Sequence, residues 1–114
     1  MRTLVSLLVV TMLFAAPGRA APPDPHPMKI GIIGTGHIGG TLAKLWVAAG
    51  HEVLLSSRHP DELRPLAKQL GPRARVGTPK EAASFGDVVL VSVPYKALPE
   101  LGRDLKAELA GKIV

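Results

Sequence analysis

An apolar run from Met28 to Ile33 passes directly into Gly34-Thr-Gly36-His-Ile-Gly39, and the residues that follow carry helical spacing. A G-x-G-x-x-G pattern alone is a weak signal. Set between a strand and a helix, it specifies a geometry. Here Lys29–Ile33 reads as a buried strand and residues 38–49 as a helix. Gly34 then permits the tight turn, Gly36 lets the backbone approach a pyrophosphate, and Gly39 lets the helix lie close to the strand. The unpaired N–H groups that open the helix, at the positive end of its dipole, favour phosphate oxygens. A glycine turn that serves packing alone would leave the same pattern, so the downstream residues decide between the two.

Those residues alternate strand and helix. Ile38, Leu42, Leu45 and Trp46 recur at helical spacing, which assigns Trp46 to the core rather than to a ligand. Gly50 suits the left-handed residue that ends a helix, and residues 52–55 form the second strand. Pro60-Asp-Glu62 predicts a turn. An interior proline costs about 3 kcal/mol, so Pro65 confines the regular helix to residues 63–70, and Gly71-Pro72 stops it. Residues 74–76 are a short third strand. Thr78-Pro-Lys-Glu81 is a capping box with proline at the first helical position, opening a helix over Pro79–Phe85 that stops at Gly86.

Residues 87–93 form the fourth strand, and their Val-Val-Leu-Val centre predicts burial on both faces. Pro94 starts a helix reaching about residue 109, closed by Gly111, and Lys112-Ile-Val114 reads as the opening of a fifth strand. Gly50, Gly71, Gly86 and Gly111 thus each close a helix. The alternation predicts an α/β fold, a Rossmann-type doubly wound parallel sheet of order 3-2-1-4-5, incomplete at the C-terminus. Its ligand crevice lies between the carboxyl ends of strands one and four.

Composition fits this class. Hydrophobic residues make up 46% of the chain but aromatics only 4%, so the core is built from Val, Leu, Ile and Ala. The absence of cysteine excludes disulfides and thiolate metal sites. At the N-terminus, Arg2, the apolar run over residues 4–16 and the small residues of Gly18-Arg-Ala20 resemble a signal peptide cut between Ala20 and Ala21. That run is shorter than the ~20 residues a membrane-spanning helix needs, so no stable membrane insertion is expected. A proline-rich spacer over residues 21–27 follows. These features predict a periplasmic or secreted protein, or a cytoplasmic one if translation starts at Met28. Removing Arg2 and Arg19 lowers the formal charge from +5 to +3. The remaining Lys and Arg are interleaved with acids and have no aromatic platform, which argues against nucleic-acid binding.

The end of the second strand selects the nucleotide. Chains that take NAD place Asp or Glu about 20 residues past the glycines, on the ribose 2′-hydroxyl. Here the sequence is Leu55-Ser56-Ser57-Arg58-His59. Two hydroxyls, a guanidinium and no carboxylate suit a 2′-phosphate, which predicts NADP. A plain polar loop is the competing reading. His59 either faces adenine or caps the next helix. His37, between the second and third glycines, contributes either its side chain or only its backbone N–H. His51 and His26 are expected to be solvated, and four separated histidines do not make a metal site. Val93-Pro94-Tyr95 occupies the other lip of the crevice, beside the nicotinamide ribose. There Tyr95 either covers the ring or packs on the surface. Ser92 has neither acid nor base beside it in the sequence, so a hydrolytic triad has no support.

Residues 28–114 resemble the N-terminal domain of NADP-dependent deazaflavin coenzyme reductases, a group related to pyrroline-5-carboxylate reductase. The resemblance rests on Lys29-Ile-Gly-Ile-Ile-Gly-Thr-Gly-His-Ile-Gly39, Gly50-His-Glu-Val53, Ser56-Ser-Arg58 and Val89-Leu-Val-Ser-Val-Pro94. It implies that Thr35, His37 and Ile38 line the pyrophosphate, that Ser57 and Arg58 hold the 2′-phosphate, and that Val93 and Pro94 flank the ribose. Similar domains occur in membrane metalloreductases that pass electrons from NADPH through flavin. Family members continue further, adding the rest of the sheet and a substrate region. The expected function is hydride transfer between NADPH and a flavin-like or deazaflavin acceptor, with a non-catalytic NADP-binding or sensing module as the alternative. The acceptor and the catalytic residue are not legible, and a homodimer stays open.

Overall fold

β1 (Lys29–Ile33) and β2 (Glu52–Ser56) are apolar on both faces and form the centre of a parallel sheet, Ile30 opposite Val53 and Ile32 opposite Leu55. β3 (Ala74–Gly77) adds to β2, and β4 (Val88–Val91) adds to β1, giving the order β3-β2-β1-β4. In this computed structural model the described residues are Gly18 and 26–114. The expected leader and most of the spacer lie outside them. Among the described residues no helix is long and apolar enough to cross a membrane.

Helices cover both faces, as parallel pairing through right-handed crossovers requires. On one face α1 (His37–Ala48) and α2 (Arg64–Leu70) pack on Ile30, Ile32, Val53 and Leu55, with Ala43 and Leu63 buried among them. A 3₁₀ turn over Pro60–Leu63 leads into α2, so both prolines of that segment fall in the first turn of a helical element, where no N–H is missed. On the other face α3 (Pro79–Phe85) and α4 (Leu98–Asp104) pack on Ile33, Leu54 and Val89 through Ala82, Ala83 and the half-buried Leu101. α3 opens on the expected cap, Thr78 Oγ1 accepting the Glu81 N–H at 3.2 Å. It lies so close to β1 that a Cβ at Gly31 would meet the Ala82 carbonyl.

Four expectations are corrected. The buried stripe of α1 is Gly39, Gly40 and Ala43, with Trp46 and Val47 half-buried against the core, while Ile38 and Leu45 are 68% and 61% exposed. Small residues let the helix sit close to the sheet, which turns the inward face by one position from the stripe of large side chains. His51 is not solvated: it is 6% exposed, and its Nδ1 accepts the Met28 N–H at 3.1 Å. β4 is shorter than the expected 87–93 and only Val89 is fully buried, and on its far side Val88 forms an isolated parallel bridge with Ile113. The single helix expected after Pro94 is a 3₁₀ turn (Tyr95–Ala97), α4 and α5 (Lys106–Leu109). The break falls at Leu105, whose φ of −110° and ψ of 10° leave the helical range as its side chain buries in the second core.

Candidate functional site

The carboxyl ends of the strands meet at one point. Gly34 turns the chain out of β1 at φ +91°, and a Cβ there would lie 2.1 Å from the Ser92 carbonyl oxygen. Only glycine satisfies both demands. Gly39, on the first turn of α1, faces the Gly34 carbonyl so closely that a Cβ would stand 2.6 Å from it. The loop is further tied to β2: the N–H groups of Gly34 and Thr35 and the hydroxyl of Thr35 all donate to the Ser56 carbonyl, each at 3.1 Å. On the other side the Ser92 N–H donates to the Ile33 carbonyl at 2.8 Å. The turn is therefore rigidly placed between the ends of β2 and β4.

A cavity of about 570 Å³ opens above this junction. Of the residues singled out from the sequence, Gly34, Thr35, Gly36, Ser57, Arg58, Val93 and Pro94 line it. His37, Ile38 and Gly39 do not. Gly39 is buried under the helix, Ile38 points to solvent, and His37 faces a shallower depression with Gly40, Thr41, Lys44 and Leu66. Their contribution to the loop is the backbone at the start of α1, which no side chain caps.

The grouping of two hydroxyls at the end of the second strand is corrected. Ser56 is the last residue of β2, fully buried, and its hydroxyl donates to the Ile32 carbonyl at 2.6 Å. It is consumed inside the sheet. Ser57 is the first residue past the strand, and its oxygen accepts the His59 N–H at 3.0 Å, which leaves its own proton to donate. Arg58 is exposed and has no ion pair or hydrogen bond among the described residues. His59 is exposed and does not cap the following turn with its side chain. Tyr95 is 87% exposed, beside the cavity but not on its wall.

The arrangement fits a dinucleotide. Gly36 has φ −98° and ψ −150°, an extended conformation open to any residue, and its missing Cβ points into empty space. Neither strain nor packing demands glycine there, whereas a phosphate lying against the backbone would. Ile33 and Ser92 also line the cavity, and Pro79, Lys96, Ala97, Glu100, Leu101 and Asp104 complete the wall. Sequence reasoning missed the latter group. The only available signal was the i, i+4 repetition of 96, 100 and 104, which marks a shared face without saying what it faces.

Residues 29–114 match the family model described as NADP oxidoreductase, coenzyme F420-dependent. The chain belongs to that family. It is 39% identical over 97 residues to the F420-dependent NADP reductase of Methanocaldococcus jannaschii, an alignment covering 76% of this chain and 43% of that protein. It is 32% identical over 107 residues to the metalloreductase STEAP3 of Rattus norvegicus, covering 94% of this chain and 21% of the relative. Among solved structures, the imine reductase from Myxococcus stipitatus in complex with NADP+ superposes with a TM-score of 0.64 at 31% identity, over 75% of this chain and 30% of that one. The chain thus spans less than half the length of these relatives. The Rossmann-type α/β fold is as expected.

Proposed function

We propose that the cavity binds NADP(H) and that the chain is the nucleotide-binding domain of an oxidoreductase transferring hydride to or from a flavin-like or deazaflavin acceptor. The observation that carries this is the pairing, in one cavity, of the Gly36 cradle with the unpartnered Arg58. In this reading the backbone of Gly36, His37 and Ile38 holds the pyrophosphate, and Ser57 and Arg58 hold the 2′-phosphate. Val93 and Pro94 flank the nicotinamide ribose. The nicotinamide, once bound, would give or take the hydride, and the chain's task is to orient it. Ring-to-ring hydride transfer needs positioning rather than an acid or base from the chain. The family description and the reductase from Methanocaldococcus jannaschii support the deazaflavin acceptor.

Calorimetric titration of the full chain with NADP and NAD tests the binding step. Heat with NADP is expected, with affinity about tenfold to hundredfold above NAD, the equivalent of one charge-assisted hydrogen bond of ~1.5–3 kcal/mol. No heat with either nucleotide overturns the reading. Oxidation of NADPH on addition of a deazaflavin or flavin then tests the transfer, and binding without oxidation leaves the chain a nucleotide-binding module only.

A further inference from the structure

Lys96, Glu100 and Asp104 lie four residues apart, on the face that also turns Ala97 and Leu101 toward the cavity. Lys96 has no ion pair or hydrogen bond among the described residues, with these carboxylates or any other group. Among the described residues the cavity wall holds two cations, Arg58 and Lys96, on opposite lips. NADP carries two centres of negative charge, the 2′-phosphate and the pyrophosphate. Ser57 and Arg58, past the end of β2, answer the first. The second, at Gly36, meets backbone N–H groups with no cationic side chain on the glycine loop itself. Lys96 stands two residues beyond Pro94, on the β4 side of the crevice, and lines the same cavity as Gly34, Thr35 and Gly36, with a flexible four-carbon stem carrying its ammonium.

We propose that Lys96 is a second phosphate-binding residue, pairing with the pyrophosphate that NADP and NAD share. This inference rests on the cavity being the nucleotide site, as argued above. Glu100 and Asp104, one and two turns further along α4, repel an anion from the rest of that wall and confine it to the Lys96 end. The wall therefore carries a charge gradient that orients the dinucleotide as well as holding it.

The test is calorimetric titration of the wild-type chain and of Lys96→Ala, Lys96→Arg and Arg58→Ala with NADP, NAD and adenosine 2′-monophosphate. The last has the 2′-phosphate but no pyrophosphate. Lys96→Ala is expected to weaken NADP and NAD alike, by about tenfold, and to leave adenosine 2′-monophosphate unchanged. Lys96→Arg is expected to restore both dinucleotides. Arg58→Ala gives the opposite pattern, losing NADP and the monophosphate but not NAD. A loss in Lys96→Ala confined to NADP and the monophosphate puts the lysine on the 2′-phosphate and overturns the proposal. So does unchanged binding of all three, in a variant whose circular dichroism matches the wild type. Failure of the wild-type chain to bind either dinucleotide overturns the nucleotide site itself, and is distinguishable because no variant is involved.

Discussion

The hydroxyl of Thr35 donates to the carbonyl oxygen of Ser56 at 3.1 Å, and the same oxygen accepts the Thr35 N–H at equal distance. Thr35 therefore spends its proton on β2, leaving the cavity to the backbone it holds in place. The contact joins the two halves of the candidate site, since Ser56 is followed at once by Ser57 and Arg58. A shift of the glycine loop would move the residues assigned to the 2′-phosphate with it.

Replacing that hydroxyl by a methyl separates positioning from contact. Thr35→Val keeps the side-chain shape and removes one partly buried hydrogen bond, worth about 0.5–1.5 kcal/mol. Chemical denaturation should show a loss of that size. NADP affinity should fall by less than the loss from Arg58→Ala, and Thr35→Ser should recover both. A variant with wild-type stability and abolished binding would place the Thr35 hydroxyl on the ligand.

Ser56 and Arg58 stand two residues apart with opposite duties, and substitution distinguishes them. Arg58→Ala removes an exposed, unpartnered cation, so unfolding free energy should change by less than ~0.5 kcal/mol. NADP binding should weaken by ~1.5–3 kcal/mol with NAD nearly unchanged. Ser56→Ala removes a fully buried hydroxyl that donates to Ile32. It should cost ~1–3 kcal/mol of stability and leave the ratio of NADP to NAD affinity as it was. Equal loss of both nucleotides in Arg58→Ala would make the arginine a structural residue.

His51 offers a test far from the cavity. Its Nδ1 accepts the Met28 N–H, fixing the chain as it enters β1. His51→Leu is close in volume and has no acceptor, so it should destabilise the fold by ~1–3 kcal/mol. The effect should appear as a lowered midpoint in urea with an unchanged slope, and nucleotide affinity in the folded protein should hold.

Much of this was written in periodicities and turn chemistry. The Val, Leu and Ile runs of β1 and β2 admit no amphipathic alternative, and Thr78-Pro-Lys-Glu81 specifies the Thr78 hydroxyl as the cap of the Glu81 N–H. What escaped depended on distances across the sheet. Propensity ends the second strand at Leu55 and leaves Ser56 as a loop hydroxyl, whereas one further residue of pairing with Ile33 and Gly77 carries it indoors. His51 has nothing in its neighbourhood to announce Met28 as a partner. Lys96, on the 3₁₀ turn, and Glu100 and Asp104, on α4, belong to a segment whose orientation is set by Leu101 and Leu105 packing in the second core. Glycine spacing carried the nucleotide reading because a backbone turn is local, whereas the rest of the wall is assembled by tertiary packing.

The two glycines at the turn, two residues apart, should respond to alanine in opposite ways. At Gly34 the left-handed φ of +91° costs an L-residue ~1–2 kcal/mol, and the added carbon would stand 2.1 Å from the Ser92 carbonyl oxygen. Backbone cannot yield to that approach without parting the ends of β1 and β4, so Gly34→Ala should unfold well below the wild-type midpoint. At Gly36 the backbone is already in a range alanine adopts, and nothing lies within 4 Å of the new methyl. Gly36→Ala should fold with wild-type stability, or slightly above it because the unfolded chain is less free. Its methyl would occupy the space assigned to the phosphates, so binding of NADP and NAD should fall together. Thermal unfolding and nucleotide titration on both variants decide the matter. If Gly36→Ala kept full affinity, the pyrophosphate would not lie against this loop, and the open space beside it would need another occupant.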